Sequence, residues 1–151
     1  MKRVHISVGV DNLEDAIRFY STIFASEPSV IKDDYAKWML DDPLLNFSLS
    51  SRSSARGVDH LGIQVETAEE LQDIGERFEA AKITIRHQEA ATCCYAQSDK
   101  IWAEDPTGVT WESFLTHGKS ADYGESGERG NIACCAPKFG KQPKPVTANC
   151  C

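Results

Sequence analysis

The chain contains 151 residues, of which 41% are hydrophobic and 26% are charged, and its formal net charge is −7 at pH 7. This length and composition predict one soluble globular domain, and no apolar run approaches the roughly 18 residues of a membrane span. The negative charge argues against nucleic acid or an anionic membrane as a partner. Because the N-terminus lacks the apolar region of a signal peptide, we expect a cytoplasmic protein.

The first half of the sequence predicts a strand, a helix and three further strands. Alternating apolar residues indicate a strand over 3–10, and apolar residues at helical spacing indicate a helix over 12–24. The segment Asp11–Glu14 before this helix has the pattern of a cap with an acid three residues later. Shorter β-like segments lie near 28–32, 35–40 and 45–50, and residues 51–57 predict a linker.

The second half repeats this order of elements. A strand over 58–66 is followed by a capping box of Thr67 and Glu70. The helix after it has an apolar stripe that consists of Leu71, Ile74, Phe78 and Ala81. Strands are then predicted at 83–88, 99–104 and 109–115, with a loop over 90–98. The sequence therefore predicts an α+β domain of residues 1–117, made of two modules at about 3–50 and 58–116.

The residues beyond His117 differ in character from the domain. Apolar periodicity disappears there, and Gly, Ser, Pro and Lys become frequent. We expect residues 118–151 to form a loosely ordered, flexible tail. Its two cysteine pairs, Cys134–Cys135 and Cys150–Cys151, are suited to capture a ligand, but we place them outside the catalytic site.

The first strand of each half presents a histidine on a face that is not apolar. Successive side chains of a strand point to opposite faces, so His60 shares a face with Gly62 and Gln64, opposite Leu61, Ile63 and Val65. The strand that begins the chain repeats this pattern, with His5, Ser7 and Gly9 on one face. Such a face predicts the lining of a cavity, to which each half contributes one imidazole.

The last predicted strand adds an acid to this set. Glu112 shares a strand face with Thr110 and Phe114, and burying a carboxylate there is costly unless a positive group pairs with it. Two imidazoles and one carboxylate on one side of a divalent ion form the facial arrangement of non-haem Fe(II) oxygenases. Each residue alone is more often a satisfied polar side chain. The repeat and the closing acid together favour a metal site made of His5, His60 and Glu112.

All six cysteines occur as adjacent pairs. Neighbouring Cα atoms lie about 3.8 Å apart, below the roughly 4.4–6.8 Å of relaxed disulfides, so adjacent cysteines are poor disulfide partners. Cys93 and Cys94 either are small buried residues of a loop or form a dithiol that binds a soft ligand at the mouth of the cavity. Because every cysteine is paired in this way, we favour the dithiol.

We assign no catalytic or binding role to the other histidines, to two charged residues or to the tryptophans. We expect His87 and His117 to lie on the surface, and Lys100 and Glu104 to be solvated. The three tryptophans are interpreted as packing residues rather than as a substrate box; they are Trp38, Trp102 and Trp111.

Four segments resemble the vicinal oxygen chelate superfamily, which includes glyoxalases, extradiol dioxygenases and bleomycin-resistance proteins. They are Val4–Val8, Ala16–Tyr20, Gly57–Gly62 and Asp105–Gly108. Within the superfamily, the segment Thr92–Ala96 and the cysteine-bearing tail resemble the organoarsenical carbon–arsenic lyases, a group also called cadmium-induced proteins. The resemblance spans residues 3–116 and implies paired βαβββ modules around an open barrel-like cavity.

The resemblance implies an Fe(II)-dependent dioxygenase that uses O2 to split the bond between carbon and trivalent arsenic. The implied substrates are methylarsenite and reduced aromatic arsenicals, and the implied product is arsenite, as in arsenic detoxification. By motif, His5, His60 and Glu112 correspond to the iron ligands. Cys93 and Cys94 correspond to the arsenic-binding thiols.

Three other functions stay open at this stage. The cysteine pairs would also serve a protein that sequesters cadmium or arsenite without turnover. The same cavity would serve a glyoxalase-type isomerase that uses Zn or Ni, or a metal-free binding module, although the two histidines argue against the last. Only Asn46 or Ser48 is available in the first half as a fourth ligand, so we expect three protein ligands. The oligomeric state is left open.

Overall fold

Two successive modules of the same plan make up the structure, a computed structural model that describes residues 1–124 together with residues 136, 137 and 139. The first contains β1 (Arg3–Gly9), α1 (Leu13–Phe24), β2 (Val30–Lys32), β3 (Tyr35–Asp41) and β4 (Leu44–Ser50). The second contains β5 (Gly57–Val65), α2 (Ala68–Ala80), β6 (Ile85–Cys93), β7 (Ala96–Glu104) and β8 (Thr110–Lys119). The tail cysteines Cys134, Cys135, Cys150 and Cys151 lie outside the described residues.

The eight strands form one sheet in the order β2-β3-β4-β1-β5-β8-β7-β6. In each module the last strand lies parallel to the first, so β4 pairs with β1 and β8 pairs with β5. The modules join at the centre of the sheet, where β1 and β5 are antiparallel. The predicted α+β fold of two paired βαβββ modules is confirmed, and the pairing brings the two histidine-bearing strands side by side.

Each helix begins at a side-chain cap. The Asn12 side chain accepts a hydrogen bond from the Asp15 backbone N–H at 3.1 Å, so the cap lies one residue later than Asp11. Thr67 accepts from the Glu70 N–H at 3.2 Å, as predicted. Ala81 lies just past the end of α2 and is exposed, so it does not belong to the apolar stripe. Neither helix combines the length and the apolar character that a membrane span requires.

The helices cover one face of the sheet and leave the other face to polar residues. The buried core beneath α1 consists of Val8, Ala36, Trp38, Leu45, Phe47 and Leu49. The smaller core beneath α2 consists of Val65, Leu71, Ile74 and Ile101. Because strand side chains alternate, the residues between these apolar positions point away from the helices, where they line a cavity.

The segment predicted as a loop over 90–98 is instead the tip of the β6–β7 hairpin. β6 runs to Cys93 and β7 starts at Ala96, so only Cys94 and Tyr95 form the turn, with φ of 55° and 62°. Turns of this kind usually carry Gly or Asn, and neither residue is present here to signal one. Two backbone hydrogen bonds join this turn to residues outside the hairpin. The Cys94 N–H donates to Tyr123 O, and the Ser120 N–H donates to Tyr95 O.

The hairpin tip also reaches the first module. The Tyr95 hydroxyl donates a hydrogen bond to Asp34 Oδ1 at 2.8 Å, and the Lys32 ammonium lies 5.1 Å from the centre of the Tyr95 ring. Asp34 and Lys32 lie at the turn between β2 and β3, at the far end of the strand order. The contact therefore shows that the sheet curls around the cavity.

Candidate metal centre

Strand register brings the three predicted metal ligands together. His5 of β1 is paired with Gly62 of β5, and Gly62 is paired with Glu112 of β8, while His60 lies two residues from Gly62 on the same strand face. A Cβ atom on Gly62 would lie 2.3 Å from the backbone oxygen of Glu112. The absence of a side chain at Gly62 thus permits the close approach of β5 and β8 that places the acid beside the histidines.

The three side chains converge on one point. Glu112 Oε2 lies 3.7 Å from His5 Nε2 and 3.5 Å from His60 Nε2, and one ligand atom of each residue falls within 4.8 Å of the others. All three residues are buried, with 3–7% of their surface exposed. The predicted convergence of His5, His60 and Glu112 is therefore present in the fold.

Hydrogen bonds orient both imidazoles. His5 Nδ1 lies 2.9 Å from the backbone oxygen of Asn46, and His60 Nδ1 lies 3.1 Å from Asp59 Oδ2. Both partners are acceptors, so each Nδ1 carries a proton and donates it. Nε2 of each ring, once it has lost its proton, is then the nitrogen that faces the centre, which is the arrangement in which histidines bind metal ions.

Burial and neighbouring charges move the pKa values of these residues in different directions. Burial lowers the pKa of His5 to about 4, against the opposing effect of the Glu112 charge. Burial also disfavours the His60 cation, but the hydrogen bonds with Asp59 and Glu112 outweigh it and raise the pKa of His60 to about 9. At Glu112 burial favours the protonated form, yet the Lys100 charge holds the pKa of the carboxyl well below its usual range.

Lys100 is buried in the cavity wall, which corrects the expectation that it is solvated. Its Nζ lies 2.6 Å from Glu112 Oε1, and only 7% of its surface is exposed. The pairing of β7 with β8 turns Lys100 and Trp102 toward the same cavity as Glu112. Lys100 is thus the positive partner that a buried acid in this strand requires, and no local sequence pattern identifies it, because the contact depends on the register of β7 against β8.

The residues fit a divalent metal ion. Bonds of about 2.0–2.2 Å from an ion to nitrogen or oxygen place adjacent ligand atoms about 3.0–3.5 Å apart, close to the 3.5 and 3.7 Å observed here. Asn46 Oδ1, a buried oxygen of a residue that lines the cavity, has no hydrogen-bond partner among the described residues. Two imidazoles and one carboxylate suit iron, zinc and similar ions, and leave coordination positions open.

The thiols of Cys93 and Cys94 lie at the same cavity. Their Sγ atoms are 3.0 Å apart, well beyond the roughly 2.05 Å of an S–S bond, so no disulfide joins the two residues. Cys93 is buried and Cys94 is half-buried. The cavity they share with the three ligands has a volume of about 50 Å³, room for roughly three to five water-sized groups.

Aromatic residues complete the walls. Trp102 meets His60 edge to face at 5.2 Å, so it lines the site as well as packing, whereas Trp38 lies in the core as expected and Trp111 is half-buried. Tyr35, Tyr95 and Tyr123 cluster near the thiols with ring centres 5.5–6.1 Å apart. No sequence pattern pointed to this cluster, because its members come from three distant segments.

The two remaining histidines play no part in the centre. His87 and His117 are exposed, which confirms their predicted surface positions, and His117 Nε2 pairs with Asp99 Oδ2 at 2.8 Å. Glu104 is half-buried at the end of β7.

Comparisons with known proteins agree with the fold and the site. Residues 2–113 match the family model of the glyoxalase/bleomycin resistance protein/dioxygenase superfamily. The chain belongs to this superfamily. Over its full length it is 39% identical to the trivalent organoarsenical cleaving enzyme of Bacillus sp. (strain MD1), 99% of which is covered. It is 35% identical to the cadmium-induced protein CadI of Mycobacterium bovis, with 87% of this chain and 86% of that protein covered.

Solved structures show the same fold at low sequence identity. A variant of homoprotocatechuate 2,3-dioxygenase from Brevibacterium fuscum superposes with a TM-score of 0.59 and is 13% identical. The match covers 82% of this chain and 34% of the dioxygenase. At this identity the likeness concerns the fold alone, and it confirms the implied architecture of paired modules.

Proposed function

We propose that the protein is a non-haem Fe(II) dioxygenase that cleaves the carbon–arsenic bond of trivalent organoarsenicals and releases arsenite. The observation that carries the proposal is that a set of metal-binding side chains and a dithiol line one cavity. The relatives named as trivalent organoarsenical cleaving enzymes support it. Methylarsenite suits a cavity of about 50 Å³ best, since methyl is the smallest organic substituent.

His5, His60 and Glu112 would hold the iron through Nε2, Nε2 and Oε2. Ferrous iron bound there supplies O2 activation at its open coordination positions. The protein orients both imidazoles through Asn46 O and Asp59, and the rings of Phe114 and Trp102 against the histidines restrict water around them.

Cys93 and Cys94 would bind the substrate through arsenic, a soft centre that prefers sulfur ligands. Two As–S bonds form while two As–OH bonds break, and each thiol proton leaves with a hydroxyl as water. The methyl carbon stays attached and is held beside the metal centre. Fixing both reactants in one cavity lowers the entropic part of the barrier.

The overall reaction balances without an external reductant. Methylarsenite, CH3As(OH)2, and O2 give arsenite, As(OH)3, and formaldehyde, CH2O. The methyl carbon is oxidised and O2 is reduced, with one oxygen atom placed on each product. The proposal therefore requires one O2 consumed and one formaldehyde formed for each arsenite released.

The test is incubation of the Fe(II)-loaded protein with methylarsenite, with and without O2, while arsenite, formaldehyde and O2 are measured. In air we expect equal amounts of arsenite formed, formaldehyde formed and O2 consumed, and under anaerobic conditions we expect no arsenite. Arsenite formed without O2 would rule out the dioxygenase reaction.

The Cys93→Ser/Cys94→Ser variant should keep bound iron and lose affinity for methylarsenite, whereas the surface variant His117→Ala should behave as the parent. A double variant that binds methylarsenite as well as the parent would refute the role of the thiols.

A sequestration function is the second candidate, because the dithiol suits cadmium or arsenite and one relative is named a cadmium-induced protein. In that case methylarsenite would bind in stoichiometric amount and be recovered unchanged in the presence of Fe(II) and air. The same assay therefore separates the two functions.

A further inference from the structure

Lys100 contacts one carboxylate oxygen of the candidate metal ligand Glu112. Its Nζ lies 2.6 Å from Oε1, so the two groups form a buried ion pair. The ammonium also lies 5.5 Å from the centre of the Trp102 ring, which holds it against the cavity wall. Lys100 is thus fixed in place from two sides.

The two oxygens of Glu112 consequently have different surroundings. Oε2 faces Nε2 of both histidines, at 3.7 and 3.5 Å, whereas Oε1 points to the ammonium. A carboxylate is able to bind a metal through one oxygen or through both. Binding through both would use one of the coordination positions that a catalytic centre keeps open for its reactants.

We propose that Lys100 is a positioning residue that restricts Glu112 to one-oxygen ligation of the metal and, by its own charge, weakens the hold of the centre on a divalent cation. The inference rests on the metal centre of the proposed function, but not on arsenic as the substrate. Both parts follow from the position of the ammonium. The ammonium is paired with Oε1, so this oxygen is not available to a metal ion. The ammonium also places a fixed positive charge next to a bound cation, and burial reduces the screening of the repulsion between the two charges.

The chain offers a matched control in Lys37. This residue also lines the cavity, but it belongs to β3 of the first module, and no ion pair joins it to Glu112 in the described part of the chain. Replacing either lysine by methionine removes one cavity-lining charge while it keeps an unbranched side chain. A difference between the two variants therefore reports the specific contact with Glu112.

The first experiment measures Co²⁺ affinity by competition with a chelator for the parent, Lys100→Met, Lys37→Met and Lys100→Arg. We expect Lys100→Met to bind Co²⁺ at least about tenfold more tightly, because the repulsion between the ammonium and the bound cation at short range is removed. Lys37→Met should change the affinity less, and Lys100→Arg should restore affinity toward that of the parent. Equal or weaker binding by Lys100→Met would overturn the charge role, because a merely structural lysine would not hold the affinity down.

The second experiment decides the ligation mode on the parent protein itself, and so does not depend on folding of the variants. Infrared difference spectra with and without Co²⁺ report the separation of the two carboxylate stretching bands of the ligand. We expect the wide separation of one-oxygen ligation in the parent and a narrow separation, from both oxygens, in Lys100→Met. Two-oxygen ligation in the parent would overturn the positioning role.

These results separate the inference from the proposed function. A parent that binds no divalent ion would end both. A parent that binds Co²⁺ but fails to release arsenite in the Fe(II) assay would end the proposed function and leave the role of Lys100 to be decided by affinity and infrared data.

Discussion

The two modules share their element order and their strand register, yet they bring different chemistry to the cavity. Each first strand presents a histidine, His5 in β1 and His60 in β5. Two residues further on, Gly62 is paired with Glu112 in the second module, whereas Ser7 is paired with Ser48 in the first. The repeat therefore supplies the cavity and both imidazoles. Only the second module carries the acid, because Glu112 stands where the first module has Ser48.

The partner of the acid differs between the modules in the same way. In β7, Lys100 is paired with Phe114, two residues beyond Glu112, and in β3 Tyr35 is paired with Ser50, two residues beyond Ser48. Tyr35 forms a hydrogen bond with Ser48, so the first module has a neutral pair where the second has an ion pair. A buried carboxylate is costly without a counter-charge, which explains why Glu112 and Lys100 occur together.

The equivalent histidines also differ in their electrostatics. His5 Nδ1 bonds a backbone oxygen, while His60 Nδ1 bonds the Asp59 carboxylate. Burial dominates at His5 and lowers its pKa to about 4, whereas the acidic partners of His60 outweigh burial and raise its pKa to about 9. The neighbours of each histidine, rather than the repeat, set its charge.

The largest effect that follows from this comparison concerns Glu112 and Ser48. Glu112→Ala should abolish tight binding of Fe(II) or Co²⁺, exceeding the roughly 10- to 100-fold loss typical of changes outside the ligand shell. His5→Ala and His60→Ala should do the same, while Ser48→Ala should bind the metal as the parent does. Calorimetric titration checks this, and stoichiometric metal in any of the three ligand variants would show that the ligand was wrongly chosen.

The cavity-facing positions are predictable from the sequence because strand alternation fixes a face locally. His5, His60 and Glu112 each lie in a strand whose other face is apolar, so their shared face was predictable. The role of Lys100 was not, because it depends on which strand pairs with β8 and in what register. The strand pattern indicates that Glu112, if buried, needs a positive partner, but that partner is identified only by the pairing of β7 with β8.

The hairpin around Cys94 illustrates a second limit of the sequence. Its turn residues lack Gly and Asn, so the local pattern indicated a loop. The turn is instead held by Tyr123 and Ser120, which lie about 25 residues further along the chain. A conformation that is stabilised by distant backbone hydrogen bonds leaves no local signal.

The next prediction moves the acid to the other module. Ser48→Glu places a buried carboxylate where Tyr35 stands in the place of Lys100, although Lys37 lies opposite on β3. Because Lys37 compensates part of the charge, we expect the free energy of unfolding to fall by less than the roughly 3–5 kcal/mol of an unpaired buried charge. The double variant Tyr35→Lys/Ser48→Glu recreates the pair of the second module and should recover part of this loss. Urea unfolding monitored by circular dichroism measures both, and a double variant no more stable than Ser48→Glu would argue against equivalence of the two pairs.

A smaller effect is expected at the strand contact that admits Glu112. Gly62→Ala puts a Cβ atom 2.3 Å from the Glu112 backbone oxygen, which forces β5 and β8 apart. We expect a loss of about 3 kcal/mol from this overpacking, together with weaker metal binding. Ser7→Ala at the equivalent position of the first module should cost far less, since β1 already carries a side chain there. If Gly62→Ala unfolded at the same urea concentration as the parent, the close approach would not be needed.

The smallest effect concerns the helix caps, which lie on the far side of the sheet from the cavity. Asn12→Ala and Thr67→Ala each remove one cap and should destabilise by about 1 kcal/mol, lowering the Tm by about 2–4 °C. Asn12→Ala should cost more, because the Asn12 side chain also donates to Asp15 Oδ2 at 2.8 Å. Neither variant should alter Co²⁺ affinity, since α1 and α2 pack against the apolar face of the sheet while the ligands project from the other. Scanning calorimetry and metal titration of the same samples measure both quantities, and a cap variant with weakened metal binding would mean that the two faces are coupled through the strands.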